Sequence, residues 1–168
     1  MNIFIGCSKE KADHPTTAEK LYISIIFKRA LHLAKEIVKR KGGHIYVLSA
    51  KHHLLELDDI VEPYNETLAH SSASTRKNWS KVVLNQITEK GIDFNEQTIF
   101  FAGNSYTKYI IKYFPNSVEM FSHLTQGYIQ RMFSQLYTNV IKPYKHEPPQ
   151  HIRELLDTRI KYIRHLLQ

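Results

Sequence analysis

Four short apolar runs, Asn2–Cys7, His44–Ala50, Gln97–Gly103 and Ser117–Phe121, most constrain what this chain can fold into. Such runs fit strands buried on both faces. Helical stripes lie between them. Ile23, Ile26, Phe27, Ala30, Leu33, Ala34, Ile37 and Val38 repeat at helical spacing after Thr16–Glu19, which has capping-box form, and Gly42-Gly43 supplies the stop. Trp79, Val82, Val83 and Ile87 mark a second helix, and Tyr106, Tyr109, Ile110 and Tyr113 a third. Ile129, Met132, Phe133, Leu136 and Val140 mark a fourth beyond Gly127. A Pro-rich connection, Lys142–Gln150, leads to a last helix on which Ile152, Leu155, Leu156, Ile160, Ile163 and Leu167 face one way. This alternation predicts an α/β three-layer sandwich, a four-stranded, mainly parallel sheet with helices on both faces and right-handed crossovers, plus a C-terminal helix. The expected organisation is an α/β domain over residues 1–141, with 142–168 packed on it.

A length of 168 residues suits one core, and 42% apolar residues argue against disorder. The single cysteine, Cys7, makes no internal disulfide and fits a reducing compartment. No apolar stretch nears the roughly 20 residues that span a bilayer, so a cytoplasmic protein without a membrane partner is expected. The formal charge of +7 favours polyanions, nucleic acid first. Residues 1–51 hold ten Lys/Arg and four Asp/Glu, a net +6, which concentrates the excess there.

Parallel sheets bind ligands outside the carboxyl ends of their strands. The segments leaving those ends are Cys7-Ser8-Lys9, Lys51-His52-His53, Gly103–Tyr106 and Ser122–Gly127. Lys51 at such a rim suits an anion or, desolvated, a nucleophile, and His52 suits a proton donor. The segment from His52 to about Ser71 reads as a long loop containing Glu56, Asp58, Asp59 and Glu62. Glu62, beside Pro63 and Tyr64, is the preferred general base or stabiliser of a cationic sugar. Cys7, Ser8 and Lys11 suit a phosphate or a carboxylate, although no Walker loop is present. Ser24 joins them at the opening of the first helix, where anions are favoured. Tyr64 and Tyr106 suit base stacking and Asn104 the reading of a base edge, and Gly127, in the last rim segment, is counted with the substrate-binding residues. Bland alternatives remain open: a solvated acidic loop, a buried inert cysteine and tyrosines in the core. His52-His53 are adjacent and no H-x-x-x-H or H-E-x-x-H occurs, so neither a metal nor another cofactor is expected.

Five segments also carry a resemblance. They are C-S-x-x-K (Cys7, Ser8, Lys11), L-Y-x-S-x-x-F (Leu21 to Phe27), L-S-A-K-H-x-L-L (Leu48 to Leu55), P-Y (Pro63-Tyr64) with Thr67-Leu68, and A-G-x-x-Y (Ala102 to Tyr106). In this order, over about residues 2–135, the chain resembles a family of small prokaryotic and phage domains related to the peroxide-stress protein YaaA and to a domain of archaeosine synthase. The resemblance implies a fold similar to uracil-DNA glycosylase and an association with DNA or modified nucleobases. The chain departs from the family pattern at His53, where glycine is favoured, and at Asn65, where aspartate commonly follows P-Y. If that aspartate is catalytic, its task passes to Glu62 or Glu66, or the activity is lost.

The resulting expectation is a DNA-directed nucleobase-processing enzyme that cleaves an N-glycosidic bond, with Lys51, His52 and Glu62 catalytic. DNA is the expected partner before RNA. Two alternatives stay open: a non-catalytic DNA-binding or protein-interaction module, and an enzyme acting on a free modified nucleobase or nucleotide.

Overall fold

The computed structural model describes residues 1–138 and 147–168. Val140 and most of the Pro-rich connection lie outside the described residues. The chain forms two compact units, Met1–Ser122 and His123–Gln168. Along the first run β1 (Asn2–Gly6), β2 (Thr16–Thr17), α1 (Ala18–Leu21), α2 (Ile25–Lys41), β3 (His44–Ser49), β4 (His53–Glu56), β5 (Ile60–Val61), α3 (Ala73–Glu89), β6 (Thr98–Phe101), α4 (Asn104–Thr107), a 3-10 turn (Ile111–Tyr113) and β7 (Ser117–Glu119). The second unit holds α5 (Gln126–Thr138) and α6 (Gln150–Leu166). On α6, Ile152, Leu156, Ile160, Ile163 and Leu166 are buried.

The main sheet has five strands in the order β4-β3-β1-β6-β7. β1 runs parallel to β3 and β6, and β6 parallel to β7, whereas β4 runs antiparallel to β3. The α/β reading therefore stands, while the four-stranded count falls one short. The extra strand lies in the segment read as a loop: β3 turns back through Ala50–His52, and Ser49 pairs with His53. The Ser49 hydroxyl accepts the His52 backbone N–H at 2.9 Å and closes this turn. A second, two-stranded sheet pairs β2 with β5.

Side-chain alternation gives each strand two faces. Phe4 stands beside Tyr46 and Phe100 in register, with ring centroids 5.5 and 5.1 Å apart. With Trp79, Val83, Ile87 and Phe114 they form a core under α3. Ile3, Ile5, Val47, Ile99 and Phe101 are fully buried and alternate with that ladder. α2 buries Phe27, Ala30, Leu33, Ala34 and Ile37 and packs on β1 and β3. Each of the larger of these side chains, Phe, Leu, Ile and Val, contributes about 1.5–3 kcal/mol.

The first long helix begins later than its capping-box signal implies. Thr16 and Thr17 are extended and pair with Val61 and Ile60, and Lys11 bridges Tyr22. A single helical turn, α1, follows them, extended backbone at Tyr22 ends it, and α2 starts after Ser24, whose hydroxyl accepts from the Phe27 N–H at 3.2 Å. At the other end Gly43 has φ +124, and a Cβ there would lie 2.2 Å from the Met1 carbonyl oxygen. Gly6 lets β1 and β6 approach closely just before the rim, since its Cβ would stand 3.1 Å from that of Ala102. Among the described residues no helix is long and apolar enough to cross a membrane.

Candidate functional site

Three parallel strands deliver their carboxyl ends to one region of the first unit, and the side chains there fall into two adjoining groups. The inner group is built on hydroxyls. The Tyr64 hydroxyl lies 2.9 Å from that of Tyr22 and 2.8 Å from that of Ser49. Ser49 is fully buried at the end of β3, and its carbonyl accepts the Trp79 indole N–H at 2.8 Å. Cys7, one residue beyond β1, places its sulfur 3.1 Å from the Tyr106 hydroxyl. Lys11 reaches back: its Nζ donates to the Ser8 and Lys9 carbonyls at 3.0 and 3.3 Å and lies 4.1 Å from the centre of the Tyr64 ring.

Burial governs the ionisation of this group. It pushes Tyr22 up to about 12, with nearby Cys7 adding to the rise. Tyr64 and Tyr106 are also raised, by burial first and then by Cys7, so all three phenols are protonated at neutral pH. Burial lowers Lys11, against an opposing pull from Cys7. His52 is lowered by burial and then by the Lys51 ammonium, with Glu66 opposing. Its Nε2 is buried without a hydrogen-bond partner, and its ring meets Tyr64 edge-on at 5.3 Å.

The outer group is a cleft of about 660 Å³. Ala50, Lys51 and His53 form one wall, residues Asn65–Leu68 and Ser71 another, and Thr75, Asn78, Trp79 and Val82 of α3 the third. Lys51 Nζ and Glu66 Oε1 stand 3.9 Å apart at its mouth, both exposed. The His53 ring lies within 23° of parallel to the Trp79 indole, at 6.4 Å between centroids. A hollow lined by amides, hydroxyls, a histidine and apolar side chains, with one cation–carboxylate pair, suits a planar polar ligand better than a bare phosphate.

The residues expected at the site distribute unevenly. Cys7, Lys11, Tyr64 and Tyr106 meet in the inner group, His52 adjoins it, and Lys51 lines the cleft. The two tyrosines are locked by their hydroxyls, and Lys11 covers a face of Tyr64, so neither ring is free for stacking as placed. The Ser8 hydroxyl donates to the Glu10 carbonyl at 3.0 Å, and that of Ser24 caps α2. Asn104 is exposed at the start of α4. Gly127 belongs to the second unit, in the first turn of α5. Glu62 is exposed and makes no ion pair with Lys51; the carboxylate facing Lys51 is Glu66. Glu56 pairs with Lys90 at 2.5 Å and ties β4 to the end of α3, and Asp59 accepts the Glu56 N–H at 2.8 Å within the β4–β5 connection. Among the described residues no group of three or more His, Cys, Asp or Glu is placed to hold a metal ion.

Sequence reasoning passed over Ser49 and Trp79. A serine inside an apolar strand run was the available signal for Ser49, because a buried hydroxyl needs a partner. Nothing in the Trp79 stripe distinguished a wall of the cleft from ordinary core.

Comparisons with curated proteins and with solved structures give no match. A family model matches residues 3–137, which span the whole first unit apart from its first two residues, and the chain therefore belongs to the family of unknown function DUF6884.

Proposed function

We propose that the protein is a nucleobase-processing enzyme acting on DNA, which cleaves the N-glycosidic bond of a base held in the cleft. The observation that carries this reading is the Lys51–Glu66 pair, 3.9 Å apart in a cleft whose other polar lining is amides, hydroxyls and the His53 imidazole. Base release needs two opposite charges close together: one for the sugar as it becomes cationic, one for the base as it leaves as an anion. Glu66 supplies the first, or orients the attacking water, and Lys51 the second. A base turned out of the stack enters the cleft, and the neighbouring His53 and Trp79 rings offer it a flat wall. Asn65, Thr67, Thr75 and Asn78 provide donors and acceptors for its edge.

The inner group has a positioning role. Its hydroxyl chain ties Ser49, at the start of the Lys51 turn, to Tyr64, two residues before Glu66. His52 sits behind Lys51, and its lowered proton affinity keeps it neutral near pH 7. The resemblance of the five segments to YaaA-related domains supports the choice of a nucleobase. The charge of +7 supports DNA as its carrier.

That charge alone also favours a second reading, a DNA-binding module without chemistry. Incubating the protein with unmodified and base-modified DNAs and analysing the low-mass fraction by mass spectrometry separates the two. The proposal expects a free base from at least one DNA. Salt-sensitive binding with no base released from any of them supports the module instead.

A further inference from the structure

Lys11 has an environment that simple closure of a turn does not require. We propose that Lys11 is an amine nucleophile that captures a sugar aldehyde as a Schiff base, the aldehyde being the open-chain C1′ left in DNA when a base departs. The inference rests on the base-release reading for its substrate.

The geometry comes first. Lys11 Nζ lies 4.1 Å from the centre of the Tyr64 ring and 5.8 Å from that of Tyr22, and its bonded partners are two neutral carbonyls, of Ser8 and Lys9. Lys35, Lys51 and Lys90 each face a carboxylate within 4 Å, whereas among the described residues Lys11 has none there. A carboxylate would hold the amine in its charged, unreactive form; ring faces and carbonyls hold it more weakly. Burial also lowers its proton affinity, which enlarges the neutral fraction able to attack. Lys11 is joined to the proposed chemistry through its contact with Tyr64. Tyr64 directly precedes Asn65 and Glu66 of the cleft wall, and its hydroxyl bonds to Ser49 at the foot of the Lys51 turn.

The step balances without a further reactant. The neutral Nζ adds to the C1′ carbonyl carbon to give a carbinolamine. The proton that the ammonium gave up to become neutral is returned to the carbinolamine hydroxyl, which leaves as water while the nitrogen lone pair forms the C=N bond of the iminium. The product is again a cation on Lys11, so the Tyr64 ring face that holds the ammonium also holds the iminium.

An oligonucleotide that already carries an abasic site tests this independently of base release. The wild-type protein is incubated with it, reduced with borohydride, digested, and the adduct mapped by peptide mass spectrometry. The expected result is a covalent complex mapped to Lys11, with a yield at least tenfold lower in Lys11→Arg and Lys11→Gln and unchanged in Lys81→Arg on the exposed side of α3. Mapping in the wild-type chain does not depend on how well a variant folds. An adduct spread over other lysines, no adduct, or an equal yield in Lys11→Arg would overturn the inference. Base release without a Lys11 adduct removes this inference and leaves the proposed function standing. A Lys11 adduct without base release from any DNA does the reverse.

Discussion

At φ +63, His53 holds a left-handed backbone conformation at the end of the β3–β4 turn, a place that glycine fills without strain. A residue with a Cβ costs about 1–2 kcal/mol there. His53→Gly is expected to raise stability by about 1 kcal/mol in a urea melt, less whatever its contact with Trp79 contributes. His52 and His53 also make the fold acid-sensitive. Both have proton affinities below the ordinary 6.5, with burial the main cause. The unfolded chain therefore binds more protons than the folded one below about pH 6.5, and stability falls as pH drops from there toward their folded values. Urea melts from pH 7.5 to 5 should show this decline, and His53→Gly should flatten it. Tyr64 is the third residue with a sharp expectation. Removing its hydroxyl leaves the buried hydroxyl of Tyr22 without the partner seen at 2.9 Å, so Tyr64→Phe should cost about 1–3 kcal/mol. In a double-mutant cycle with Tyr22→Phe the two losses should fall short of additive, because one hydrogen bond is counted in both.

Among the elements, the two long helices of the first unit separate what periodicity reveals from what tertiary pairing decides. The α2 stripe was legible, and Phe27, Ala30, Leu33, Ala34 and Ile37 are buried as that stripe requires. Its start was not, because Thr16 pairs with Val61, far away along the chain, which no local pattern encodes. Ser24→Ala should therefore cost about 1 kcal/mol in thermal or urea melts, and Thr16→Ala clearly less. Equal losses would restore the capping-box reading. β4 was hidden for a related reason. Its turn carries histidine at the left-handed position, and its acids suggested solvent, although Glu56 has a strand partner in Tyr46. Glycine is the residue that the observed backbone favours at His53.

For the whole molecule, the arrangement of the parallel strands did more to locate the site than any motif. The strand order puts β1 between β3 and β6, so Cys7, the Lys51 turn and the Gly103–Tyr106 segment leave the same end of the sheet. That much followed from strand–helix alternation. Which carboxylate meets Lys51 did not, because it depends on the path of the chain between β5 and α3, where no periodic pattern exists. Glu62 was the carboxylate expected from its neighbours Pro63 and Tyr64, whereas Glu66 is the one that faces the cation. If Lys51 and Glu66 act as a pair on a bound base, the rate of base release from the best DNA substrate in Lys51→Ala, Glu66→Gln and Glu62→Gln shows it. Losses of about 100-fold or more are expected for the first two, with Glu62→Gln near the wild-type rate. Full activity in Glu66→Gln, or a loss confined to Glu62→Gln, would contradict it.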